Sequence, residues 1–201
     1  MTEITFRYNR ISFAMRYWEN QKGVEFLKKV GIKKSDTVLD FGCRVGHCTI
    51  PVAKIIGSKG IVYAIDTQGD ALAELEQKKN IQKLANIRII KTFGQLRLPL
   101  EEKSIDVVLL YDVLHYLKEA DRKKLYQETF RVFKENGLLS IYPKHCLTDN
   151  PIKEFQHMDM ESIKGEIQDS GFVFSKRYCD FISHDDGLNQ GCVFNFRKKK
   201  C

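Results

Sequence analysis

No apolar stretch in the 201-residue chain approaches the roughly 20 residues that span a bilayer. The first ten residues mix charged and polar side chains and lack the apolar core of a secretory signal. A cytoplasmic protein with no membrane partner is therefore expected. Repeats, low-complexity tracts and linker-like stretches are missing, so a single domain over residues 1–201 is expected. None of the six cysteines, Cys43, Cys48, Cys146, Cys179, Cys192 and Cys201, pairs in a C-x-x-C motif. A chain of this length buries enough apolar surface to do without staples, so all six are expected as free thiols. His47-Cys48 and His145-Cys146 do not have the spacing of a zinc site, and no metal is expected. A dense basic stripe is also missing. The net charge of +7 is spread out, apart from the tail Arg197-Lys198-Lys199-Lys200. A nucleic-acid partner stays open but is not favoured.

What the chain does contain is an alternation of strand and helix patterns. Apolar, β-branched runs at residues 37–41, 61–66, 87–90, 105–110 and 138–142 suit strands buried on both faces of a parallel sheet. Between and around them the spacing predicts helices over 18–30, about 47–56, 70–84, 122–133 with Asp121 as N-cap, and 160–169. Pro51 is tolerable in a first helical turn, whose amides have no intrahelical acceptor. Two further runs, 172–174 and 191–196, have no helix between them and should pair antiparallel across His184-Asp185-Asp186-Gly187. The reading is five βα-type units, then a helix and a hairpin.

The stretch Asp40-Phe41-Gly42-Cys43-Arg44-Val45-Gly46 passes from a strand through a glycine turn into a helix. In an open α/β sheet, ligands bind at such carboxyl ends of strands. Asp66 ends the second strand about twenty residues on, where a carboxylate accepts from the hydroxyls of a ribose. A dinucleotide site would need G-x-G-x-x-G to cradle a pyrophosphate, and that pattern is missing. Asp40 would repel phosphate but suits the ammonium of a methionine moiety. These residues favour S-adenosylmethionine over NAD.

The order of motifs resembles that of class I S-adenosylmethionine-dependent methyltransferases, of the ubiquinone/menaquinone-biosynthesis and small-molecule type. Residues 40–46 resemble their first motif and 60–66 their second. Leu98-Pro99 with 104–108, Val113-Leu114-His115 and 133–139 resemble later segments. The resemblance runs from about Val24 to Phe196. It implies a Rossmann-like three-layer fold, with a seven-stranded, mostly parallel sheet and an antiparallel C-terminal hairpin strand. It further implies that Gly42 and Gly46 line the methionine part and that Asp66 binds the ribose. The expected cofactor residues are Asp40, Gly42, Cys43, Gly46, Asp66, Thr67, Gln95 and Tyr111.

Two positions depart from the family pattern. Arg44 stands where the middle glycine of the first motif is usual. The region after the third strand, Thr92-Phe93-Gly94-Gln95-Leu96, has no acid for the adenine amino group, and Gln95 is assigned there through its amide oxygen. Methyl transfer is an in-line displacement that positioning can catalyse, so no catalytic residue is fixed; Asp112 and His115 are the candidates for an acid or base. Phe6, Tyr8, Phe13, Tyr17 and Trp18 make residues 1–20 either a lid or a helix packed on the sheet. Cys146, Cys179 and Cys192 could converge as thiols on a soft acceptor. The leading expectation is methyl transfer to a small molecule. RNA or protein methylation and non-catalytic cofactor binding are the alternatives.

Overall fold

The structure, a computed structural model, describes residues 12–199. Phe6, Tyr8 and Cys201 therefore lie outside the described residues. Helix α1 (Phe13–Tyr17) runs through a π-helical turn (Trp18–Lys22) into α2 (Gly23–Val30). Strands follow at β1 (Thr37–Phe41), β2 (Ile61–Asp66), β3 (Ile87–Lys91), β4 (Ile105–Tyr111) and β5 (Phe133–Tyr142). Helix α3 (Thr49–Ile56) follows β1, α4 (Gly69–Ile81) follows β2, and α5 (Glu119–Val132) follows β4. Helix α6 (Met160–Asp169) leads into a hairpin of β6 (Phe172–His184) and β7 (Gly187–Lys198).

All seven strands form one sheet in the order β3-β2-β1-β4-β5-β7-β6. The first five are parallel, and β7 is antiparallel to both β5 and β6. From β1 the chain winds outward to β3, then crosses back to β4 on the other side of β1. That reversal opens a crevice beyond the carboxyl ends of β1 and β4, where open α/β sheets bind ligands. Strand β6 runs in the same direction as β1–β5, so its last residue, His184, arrives at this same end.

Alternate residues of each central strand serve opposite faces. Val38, Val107 and Leu109 join Trp18, Ile50 and Leu75 in one core. Leu39, Val108 and Leu110 join Leu125, Tyr126 and Ile167 in the other. Each such side chain contributes about 1.5–3 kcal/mol by leaving water, which is why the strands read as continuous apolar runs.

Several expectations are corrected. Among the described residues no helix connects β3 to β4, so one of the five βα units is a loop, residues 92–104. Helix α5 begins at Glu119 with Lys118 as N-cap; Asp121 instead sits in the first turn, where its charge still favours the helix dipole. The hairpin strands are far longer than 172–174 and 191–196, because β6 is an edge strand whose exposed, charged outer face hides the apolar signal. The cysteines are not all free. Cys179 and Cys192 lie directly opposite each other on β6 and β7 and form a disulfide. That pairing also removes both thiols that could have converged with Cys146.

Trp18 and Met15 are buried in the core, whereas Phe13 and Tyr17 face solvent. The described part of the N-terminal segment is thus a packed helix. No helix among the described residues is long and apolar enough to cross a membrane.

Candidate functional site

The turn after β1 needs three left-handed residues in five: Gly42 (φ 76°), Arg44 (φ 45°) and Gly46 (φ 85°). Gly42 is pinned to β2, since its amide and that of Cys43 both donate to the carbonyl of Ile65. A Cβ at Gly42 would come within 2.8 Å of Val113, and one at Gly46 would run into Leu75 of α4. Glycine at both positions lets β1, α4 and the segment after β4 close on one another.

Asp66 accepts three backbone N–H bonds. Its Oδ2 takes the amide of Arg44 at 2.8 Å, and its Oδ1 takes those of Thr67 at 2.7 Å and Gln68 at 2.9 Å. A carboxylate has about four acceptor positions, so one stays free. Around this turn lie two cavities. The larger, of about 480 Å³, is lined by Gly42, Asp66, Thr67, Thr92, Gln95 and Asp112 among others. The smaller, of about 60 Å³, is lined by Asp40, Gly42, Cys43, Tyr111, Asp112 and His184 among others.

Seven of the eight expected cofactor residues therefore face one cavity or the other. Gly46 sits behind the turn, against α4. Asp40 is buried, and Thr49 Oγ1 donates to its Oδ2 at 2.6 Å. Burial, reinforced by the charge of Asp66 and opposed by Thr49, raises its carboxyl to about 6. Burial also pushes the Cys43 thiol and the Tyr111 phenol well up, so both are neutral walls; the Tyr111 hydroxyl bonds Ser140 Oγ at 2.9 Å. Gln95 uses one lone pair of its amide oxygen on the amide of Phe93 at 2.8 Å. Thr92, buried in the larger cavity wall, was not singled out in the sequence.

Both candidate catalytic residues lie at the far end. Asp112 leaves β4 with φ 54°, and its Oδ2 meets Nδ1 of His184 at 2.6 Å. Burial raises its carboxyl, and His184 opposes the shift. His115 is wholly buried beneath them, and burial, with the charges of His145 and Lys153, lowers it to about 4. His145 beside Cys146 lacks the spacing of a zinc site, and His184 reads as part of a loop, so neither stands out locally. Only the strand directions bring them together.

Behind the turn, Trp18 Nε1 donates to the carbonyl of His47 at 2.9 Å. Glu19, also buried, meets His47 Nδ1 at 2.7 Å and Lys78 Nζ at 2.8 Å. Lys78 further donates to the carbonyl of Val45 at 3.1 Å. The N-terminal helix thus fixes the first-motif turn through a buried ionic cluster.

Sheet order and cavities define an α/β protein with a nucleoside-sized site at its switch point. Residues 38–137 match the family described as a methyltransferase domain. A demethylmenaquinone methyltransferase of Lactobacillus johnsonii is 31% identical over 128 residues, which cover 64% of this chain and 51% of that protein. A 2-phytyl-1,4-naphtoquinone methyltransferase of Trichormus variabilis is 28% identical over 71% of this chain and 62% of its own. The chain thus spans about half to three-fifths of the length of these curated relatives. Among solved structures, a SAM-dependent methyltransferase from Aquifex aeolicus superposes with a TM-score of 0.71 at 22% identity, over 98% of this chain and 97% of that one. The chain is thus similar to methyltransferase-domain proteins, over residues 38–137 in sequence and over nearly its whole length in fold.

Proposed function

We propose that this chain transfers a methyl group from S-adenosylmethionine to a small-molecule acceptor. The observation that carries the reading is the pair of adjoining cavities, which share Gly42 and Asp112 in their walls, with carboxylates at Asp40, Asp66 and Asp112 and a glycine turn between them. The larger cavity lies within the size range of small-ligand sites. Ribose at the free position of Asp66 leaves adenine against Thr92 and Gln95. The methionine end then enters the smaller cavity, where the buried carboxylate of Asp40 suits its ammonium. Three acids around the path favour a cationic sulfonium and oppose a pyrophosphate. The methyl group points towards Asp112, and an acceptor held there within about 3–3.5 Å would be attacked in line. One continuous sheet supports reading the chain as a single domain.

Quinol-type aromatic compounds are the first acceptors to assay, because the relatives are named for demethylmenaquinone and a phytylnaphthoquinone. Calorimetric titration should give saturable binding of S-adenosylmethionine and of its demethylated product, and none of NAD. Silence with both compounds at millimolar concentration would sink the proposal. Labelled methyl transfer to reduced naphthoquinones and to a metabolite pool then identifies the acceptor class.

A further inference from the structure

We propose that Asp112, His145 and His184, backed by His115, form a binding site for a divalent transition-metal ion of the zinc class. Its use as a seat for the methyl acceptor rests on the methyltransferase reading; the binding does not.

The three residues come from three strand ends. Asp112 follows β4, His145 follows β5, and His184 closes β6, all at the carboxyl end of the sheet. One donor atom from each lies within 4.8 Å of the other two. Asp112 and His145 both hold left-handed backbone, at φ 54° and 61°, which non-glycine residues adopt at a cost of about 1–2 kcal/mol.

The disposition of lone pairs points the same way. His145 Nδ1 lies 3.2 Å from the carbonyl oxygen of Asn150, which can only accept, so Nδ1 carries the proton. In the neutral ring its Nε2 is then a bare lone pair, 4.0 Å from Asp112 Oδ1. That oxygen is buried and has no hydrogen-bond partner. His115 is 1% exposed, neither of its nitrogens is partnered, and its Nδ1 is 3.7 Å from the same oxygen. In the neutral His145 ring, Nε2 and Asp112 Oδ1 are two acceptors facing each other, and they repel unless a cation lies between them. Ligands about 2.1 Å from a tetrahedral ion sit about 3.4 Å apart, slightly closer than the 3.7 and 4.0 Å found here.

Without an ion, a proton on His184 Nδ1 is donated to the Asp112 carboxylate, Oδ2 lying at 2.6 Å. When an ion takes Nδ1, that proton moves to Nε2 of the same ring, which faces Asp185 Oδ2 at 3.6 Å. A backbone carbonyl on the far nitrogen of His145 and a carboxylate beyond His184 are the outer partners that orient metal-binding imidazoles. Two imidazoles and one carboxylate suit zinc or its neighbours rather than magnesium or calcium, which take oxygen ligands. Asp112 lines the larger cavity and Asp112 and His184 line the smaller, so a remaining coordination position would face the acceptor. If the cluster were only a hydrogen-bonded Asp112–His184 pair, the lone pairs on His145 and His115 would serve nothing.

The test uses the full chain, stripped with a chelator and titrated with Co²⁺, then Zn²⁺. One equivalent should bind, with visible Co²⁺ bands that Zn²⁺ abolishes. X-ray absorption at the zinc edge should show nitrogen and oxygen neighbours at about 2.0–2.1 Å and no sulfur at about 2.3 Å. His145→Gln and His184→Gln should each weaken binding by more than about 100-fold, since loss of an outer partner alone costs about 10–100-fold. No binding by the wild type, a sulfur-ligated ion, or undiminished binding by the double variant overturns the site. S-adenosylmethionine is titrated into the same samples. Cofactor binding without metal binding rejects only the metal site, whereas metal binding without cofactor binding rejects the methyltransferase reading.

Discussion

Arg44 Nη1 donates to Asp185 Oδ1 at 3.0 Å, joining the first-motif turn to the tip of the β6–β7 hairpin 141 residues later. Both side chains are about half exposed or more, so the pair itself contributes about 0–1 kcal/mol. Its backbone explains why glycine is usual here: φ of 45° costs a non-glycine residue about 1–2 kcal/mol. Arg44→Gly should therefore keep or slightly raise the thermal midpoint. It should also keep or improve S-adenosylmethionine affinity, because a positive charge leaves the neighbourhood of a sulfonium. Calorimetry and thermal unfolding check both. Loss of binding in a folded Arg44→Gly protein would make the arginine a ligand contact.

Asp66 has a double task. It holds the amides of Arg44, Thr67 and Gln68 and keeps one acceptor position for a ribose hydroxyl. Hydrogen bonds to a charged group are worth about 1.5–3 kcal/mol each, although solvent relaxation returns part of this. Asp66→Ala should lower cofactor affinity at least about tenfold and also destabilise the protein by about 2–4 kcal/mol. A ribose contact alone would leave stability unchanged. Unaltered affinity would place the ribose elsewhere.

Much of this arrangement was legible in the residues, and the reason differs by element. Strands β1 and β2 were read to the residue because each is a largely buried apolar run with an acid, Asp40 or Asp66, at or next to its end. The first-motif turn was legible from its glycines and acids. The hairpin and its turn were legible too, but the length of its strands was not, since between Phe172 and Ile182 the edge strand has no buried residue and carries Lys176, Arg177 and Asp180. His145 and His184 are separated by 39 positions, and no local pattern says that β6 returns to the same end of the sheet as β5. That is a property of topology, set by the insertion of β7 between them.

The buried carboxyl of Asp40 gives a pH signature. Burial raises it from its ordinary 3.8 to about 6 in the folded protein. The folded state therefore holds a proton that the unfolded state has lost between those values. Stability from this group is fully present below pH 3.8 and is lost as pH rises through about 6, a change of about 3 kcal/mol. Cofactor binding should have the opposite trend, strengthening as pH rises through about 6, because the ammonium needs a carboxylate. Asp40→Asn should flatten both profiles and bind the cofactor more weakly at pH 7. Chemical denaturation and calorimetry across pH 4–8 provide the measurement. A cofactor affinity independent of pH in the wild type would remove Asp40 from the ammonium site.

Lys78 is fully buried, and its ammonium is bonded to Glu19 and to the carbonyl of Val45. Burial alone would raise Glu19. The hydrogen bond from His47 and the charges of Lys78 and His47 outweigh it, so the carboxyl is lowered overall. A lowered carboxylate stabilises the fold above the ordinary glutamate range, and that contribution is lost as pH falls through its folded value. Lys78→Met leaves Glu19 buried with His47 alone, and breaking a buried pair from one side costs about 3–5 kcal/mol. Lys78→Met should therefore lower the thermal midpoint sharply and flatten the acid limb of stability against pH. Adding Glu19→Gln should restore much of the loss, because the uncompensated charge is then gone. Thermal unfolding of the two single variants and the double variant closes the cycle. Additive losses would show that the two side chains act independently, and that Lys78 and Glu19 do not hold the first-motif turn as a pair.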